Sequence, residues 1–96
     1  MTTESNQPYE SYQSDVAALR ERIDRGDTDA ADELIELAAE QSDMGELRRL
    51  SETGNSTATD QLIELATEQD DLTELRRLAD QGNTTAAEVL AELVDE

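Results

Sequence analysis

A 28-residue repeat constrains this chain more than any other feature. The run ADELIELAAEQSDMGELRRLSETGN begins at Ala31, and TDQLIELATEQDDLTELRRLADQGN begins at Thr59. Between residues 29–56 and 57–84, 17 of 28 positions are identical. A partial third copy, TTAAEVLAELVDE, fills residues 84–96, and a degenerate half-copy, VAALRERIDRGD, precedes the first. The register aligns Leu19 with Leu47 and Leu75, Gly26 with Gly54 and Gly82, and Leu34 with Leu62 and Leu90. Self-similarity at a fixed period marks architectures in which each unit buries its apolar face on the next.

Each unit carries two helical periods. The leading one places Ala58, Leu62, Ile63, Leu65 and Ala66 on one stripe; the trailing one does so with Leu72, Leu75, Leu78 and Ala79. Asp43 with Glu46 and Asp71 with Glu74 have the spacing of capping boxes, with Asp in place of Ser or Thr. Gly26, Gly54 and Gly82 stand where a left-handed C-terminal cap is needed, followed by Asp27, Asn55 and Asn83 as caps of the next helix. These signals predict six helices near 14–25, 28–40, 43–53, 56–68, 71–81 and 84–95. Residues 1–12 are polar, hold the one proline, and read as a disordered tail. The expected fold is all-α, an α/α solenoid of about three stacked helix pairs in one domain over residues 13–96. Its parts are a half-copy at 14–28, repeats at 29–56 and 57–84, and a partial repeat at 85–96.

At these residues the chain resembles the tetratricopeptide and Sel-like superfamily of helix-turn-helix repeats. RRLADQGNTTAAEVLAEL is similar to the Sel-like pattern of a basic helix end, Gly-Asn/Asp, then Ala and Leu on the next helix. Glu68-Gln69-Asp70-Asp71 looks like the tetratricopeptide turn between paired helices. The resemblance covers roughly residues 15–96, with departures: the period is shorter, Leu or Ala fills the bulky aromatic positions, and the inter-repeat proline is missing. It implies protein–protein scaffolding on the face lined by leading helices, and it implies no catalytic residue.

Composition argues against enzyme chemistry. The chain has no Cys, no His and no Lys, since its seven basic residues are all arginine. Thiolate metal sites, disulfides, the usual neutral-pH general base and the Schiff-base amine are thereby excluded. No cofactor is expected. Asp27, Asp29 and Asp32 begin like a calcium loop, but its glycine position holds Asp32 and its bidentate position holds Ala38, so no metal site is expected either. The opening MTTESNQPYESYQS lacks a basic end and an apolar run, and no apolar stretch approaches a membrane span, so the expected setting is cytoplasmic.

The net charge of −18 opposes direct binding to nucleic acid or an anionic membrane. A lysine-free acidic composition fits a salty cytoplasm or a GC-rich genome, and it equally fits a functional polyanion. The charge is unevenly placed. All seven arginines fall on trailing helices, whereas the leading segments 27–41, 55–69 and 83–96 sum to −6, −3 and −4. Glu33, Glu36, Glu40, Glu64, Glu68 and Glu92 are the candidate partner-binding residues, as an acidic face for a basic peptide or Arg/Lys-rich surface. The arginines are expected to pair along their own helices: Glu46–Arg49, Glu74–Arg77, Arg48–Glu52, Arg76–Asp80 and Glu21–Arg25.

Two functions follow as expectations. One is a non-enzymatic protein–protein interaction module or small scaffold, whose open repeat ends also permit homo-oligomers. The other is an acidic nucleic-acid mimic that inhibits a DNA- or RNA-binding protein by occupying its basic site.

Overall fold

The structure, a computed structural model, describes the backbone of residues 8–94 and the side chains of residues 11–94. The described residues are all-helical: α1 (Pro8–Asp24), α2 (Thr28–Glu40), α3 (Met44–Glu52), α4 (Ser56–Glu68), α5 (Leu72–Asp80) and α6 (Thr84–Val94). Five of the six lie within two residues of their predicted bounds. The exception is α1, which starts at Pro8, so residues 8–12 of the expected tail are helical; residues 1–7 lie outside the described residues. Proline suits a first helical position because its missing N–H would have no partner there. Tyr12 then extends the apolar stripe of Val16 and Leu19, at i, i+4 and i+7, and all three are buried.

The chain divides into two compact units, with the boundary inside α2 after Leu37. The first unit buries Tyr12, Val16 and Leu19 of α1, with Ala30, Leu34 and Ile35 of α2. In the second, α3 packs on α4, α4 on α5, and α5 on α6, the tightest pairs being those joined by a glycine turn. Its core is Leu47, Leu50, Leu62, Ile63, Leu65, Leu75 and Leu78, with Ala58, Ala66 and Ala86 fully buried. The alanines recur in register, and their small side chains let helix backbones approach closely.

The turns divide into two kinds. After the trailing helices, Gly54 and Gly82 adopt φ of +96° and +101°. The next N–H groups, of Asn55 and Asn83, then reach back to the carbonyls of Leu50 and Leu78. After the leading helices, Ser42 and Asp70 both take φ of +53°, although neither is glycine. The sequence reading placed left-handed residues only at the glycines. Positions 42 and 70 are equivalent in the repeat, and short polar side chains tolerate this region better than most.

The N-caps form where expected. Asn55 Oδ1 accepts from Ala58 N–H at 3.0 Å and Asn83 Oδ1 from Ala86 N–H at 2.8 Å. Asp43 Oδ1 accepts from Glu46 N–H at 3.1 Å and Asp71 Oδ1 from Glu74 N–H at 3.0 Å.

Two stability predictions follow. Leu62 is fully buried, whereas its repeat equivalent Leu90 is only half-buried. Leu62→Ala is expected to cost about 2–5 kcal/mol and Leu90→Ala roughly half as much or less, read by urea denaturation; equal losses would contradict this core. Asp70→Gly removes left-handed strain and is expected to stabilise by about 0.5–1 kcal/mol, seen as a raised melting temperature.

Candidate functional site

The functional candidates are carboxylates, and the fold sorts them into two classes. Glu46 and Glu74 stand four residues before Leu50 and Leu78, on the apolar side of their helices. Their side chains are 4% and 5% exposed. A capping box would turn these carboxylates back to the N–H of Asp43 and Asp71. The N–H groups of Asp43 and Asp71 donate to the carbonyls of Ala38 and Ala66, both at 2.8 Å, and both glutamates accept from arginine.

Glu74 takes two guanidinium groups. Arg77, one turn on, donates Nε to Oε2 at 3.1 Å and also closes with its Nη2. Arg48, on α3, donates Nε to Oε1 at 3.1 Å and places Nη2 at 2.9 Å. Glu52 lies 3.7 Å from Arg77. Side chains of α3 and α5 are thus tied directly across the repeat. Burial by itself would push the Glu74 carboxyl up, but the hydrogen bonds from Arg77 and then Arg48 outweigh it and hold the group below its usual value. Glu46 accepts from Arg49, Nε at 3.1 Å and Nη2 at 2.8 Å.

The expected intrahelical pairs are therefore only partly realised. Glu46–Arg49, Glu74–Arg77 and Glu21–Arg25 form, the last at 3.7 Å between exposed side chains. Arg48 leaves Glu52 for Glu74, and Arg76 makes no ion pair with Asp80 or any other described residue. The buried role of Glu46 and Glu74 was missed, although one signal was present: both lie on the leucine stripe in both copies.

The first unit holds a smaller arrangement. Arg22 donates Nε and Nη2 to Asp27 Oδ2 at 3.1 and 3.0 Å, while Asp27 Oδ1 accepts from the N–H of Asp29 and Ala30. The Arg22 hydrogen bond, helped by those N–H groups, keeps the Asp27 carboxyl below its ordinary value despite a small opposing effect of burial. Asp27 is thus a helix cap and an arginine partner.

The six predicted partner-binding glutamates belong to the second class. Glu33, Glu36, Glu40, Glu64, Glu68 and Glu92 are all exposed. Glu33 lies 3.6 Å from Arg22; the other five make no ion pair among the described residues. Among the described residues no group of three acids is placed to hold a metal ion. Beside the last glycine turn, Ser51, Thr59, Leu78, Gln81, Gly82 and Asn83 line an open, mainly polar depression of about 280 Å³. Thr59 donates to the Asn55 carbonyl at 3.2 Å, which leaves Ser51 to donate to Thr59. No described helix is long and apolar enough to cross a membrane.

No family model matches the chain, and no curated protein or solved structure matches it either.

The depressed carboxyl of Glu74 gives a signed pH prediction. The folded state binds this proton more weakly than the unfolded chain, whose glutamate titrates near 4.5. Its stabilising contribution is therefore complete above that value and is lost as pH falls through the lower, folded one. Glu74→Gln is expected to lose about 1–2 kcal/mol at neutral pH, with the deficit shrinking below about pH 4. Urea melts of both proteins across pH 3–8 check this, and a pH-independent deficit would refute it.

Proposed function

We propose that the chain is a non-enzymatic, cytoplasmic protein-interaction module in which the helices stack as a tetratricopeptide-like α/α solenoid. In this reading the leading helices α2, α4 and α6 present an acidic face to a basic peptide or an Arg/Lys-rich partner surface. The observation that carries it is the sorting of the carboxylates. Asp43, Asp71, Glu46 and Glu74 are taken up by caps and arginines of the trailing helices. Glu36, Glu64 and Glu92, at equivalent positions of the leading helices, stand exposed and carry no arginine. A set of exposed like charges repeated in register favours a complementary partner through long-range attraction, at the cost of mutual repulsion in the free protein.

Support for the repeat stacking comes from the second unit. There α3·α4 and α5·α6 recur as the same helix pair, with the same caps and the same positive-φ glycine. The non-enzymatic part rests on the sequence, which lacks His, Cys and Lys.

The test is binding of an arginine-rich peptide by the native chain and by the triple variant Glu36→Gln, Glu64→Gln, Glu92→Gln. Calorimetry at low salt is expected to show about ten-fold weaker binding by the variant, with both affinities falling as salt rises. The variant should be no less stable than the native protein. Equal affinities for the two proteins would remove the acidic face from the mechanism. If a partner captured from cells is a nucleic-acid-binding protein and is displaced by DNA or RNA, the mimic reading replaces the scaffold.

A further inference from the structure

The polar depression beside the last glycine turn departs from the repeat that surrounds it. Its two hydroxyls, Ser51 on α3 and Thr59 on α4, stand where the other copies carry Ile23 and Ala79, and Ala31 and Ala87. Its exposed amide, Gln81, stands where they carry Arg25 and Thr53. Leu78, Gly82 and Asn83 belong to the common framework, as their equivalents Leu50, Gly54 and Asn55 show. Three polar side chains thus leave the register at one place, between the α3–α4 pair and the turn from α5 to α6. Helix stacking does not call for the two hydroxyls, because apolar residues serve at all four equivalent positions. Both are half-buried, where a hydroxyl is costly unless it is hydrogen-bonded.

The hydrogen bonds determine what the depression offers a ligand. Thr59 donates to the Asn55 carbonyl and accepts from Ser51 at 2.5 Å. The Ser51 proton is therefore engaged, while Ser51 Oγ accepts from no described residue. Asn83 is the converse: Oδ1 accepts from the Ala86 N–H, and Nδ2 donates to no described residue. The Gln81 amide, with a donor and an acceptor end, makes no hydrogen bond among the described residues. Buried Leu78 supplies the apolar part of the lining, and no charged side chain contributes to it.

We propose that this depression is a binding site for a primary carboxamide on a short aliphatic stem. The ligand N–H donates to Ser51 Oγ, its carbonyl accepts from Asn83 Nδ2, its stem lies on Leu78, and the Gln81 amide pairs with its outer edge. A carboxylate fits poorly, because Ser51 has no proton left to give and the chain carries −18. An ammonium or guanidinium would find no carboxylate in the lining. A volume of about 280 Å³ suits a group the size of one side chain. The site takes an uncharged group, so it goes beyond the acidic face and does not depend on it.

The probe is propionamide, titrated into the isotopically labelled full chain and followed by amide NMR shifts, with propionate and butanone as controls of similar size. Saturable shifts are expected at Ser51, Thr59, Gln81, Gly82 and Asn83, with a Kd of about 10 mM for so small a ligand. Added salt should leave this Kd unchanged, whereas it releases an arginine-rich peptide from the acidic face. Ser51→Ala and Gln81→Thr import residues that the chain already uses at positions 79 and 53, so helicity and melting temperature should be retained. Each should weaken propionamide binding about three- to ten-fold. Butanone, which has no proton to donate, should bind the native chain as weakly as propionamide binds Ser51→Ala.

N-acetylglutamine methylamide separates the two sources of a carboxamide. Binding about ten-fold tighter than propionamide assigns the site to a glutamine of a partner polypeptide, and equal binding assigns it to a free amide. The alanine analogue, which keeps both backbone amides, should not bind. Three results would overturn the proposal: no saturable shift at these residues, propionate or butanone binding as tightly as propionamide, or affinity indifferent to both substitutions. If Ser51→Ala unfolds the chain, Gln81→Thr on the exposed turn decides alone. None of these outcomes bears on the arginine-rich peptide, so the acidic face stands or falls separately.

Discussion

The burial of leucine and alanine between short helices is the interaction on which everything else in this chain depends. Helices of nine residues, such as α3 and α5, and of thirteen, such as α2 and α4, are too short to persist alone in water. Each becomes stable only by sharing its apolar stripe with a neighbour. The absence of large rings beyond two tyrosines makes that sharing strict. With aliphatic side chains alone, adequate burial requires close approach, and the fully buried alanines at positions 30, 58 and 86 provide the room.

Close approach also explains the electrostatics. A glutamate placed on the leucine stripe of a short helix cannot avoid being buried when the next helix arrives. It is tolerated because both oxygens of Glu74 are hydrogen-bonded to guanidinium groups whose outer edges still meet water. The arginines of the trailing helices thus do two things at once. They neutralise a buried carboxylate and link α3 to α5, a direct tie between successive trailing helices. Leading helices carry no arginine, so their acids remain at the surface.

Much of this was legible in the sequence. The 28-residue register, the caps at Asp43, Asn55, Asp71 and Asn83, and the positive-φ glycines follow from local rules about helix ends, which need no knowledge of distant residues. The start of α1 was not legible because residues 1–12 are mostly polar and hold the one proline; burial of Tyr12 shows the helical stripe starting earlier. Ser42 and Asp70 escaped notice because left-handed backbone at a non-glycine residue leaves only a weak compositional trace. The Arg48–Glu74 pair, 26 residues apart, could not be distinguished from the equally well-spaced Arg48–Glu52.

What the sequence alone determined is therefore the secondary structure, its period and its charge division. All three depend on interactions within one or two turns of chain. The tertiary structure decided which carboxylates are spent internally and which face water. It also decided that, among the described residues, Leu90, Leu93 and Val94 of α6 are less covered than their equivalents in α4 and Arg76 makes no ion pair. Those outcomes depend on whether a second helix lies against a given face, and spacing along a single helix carries no information about that.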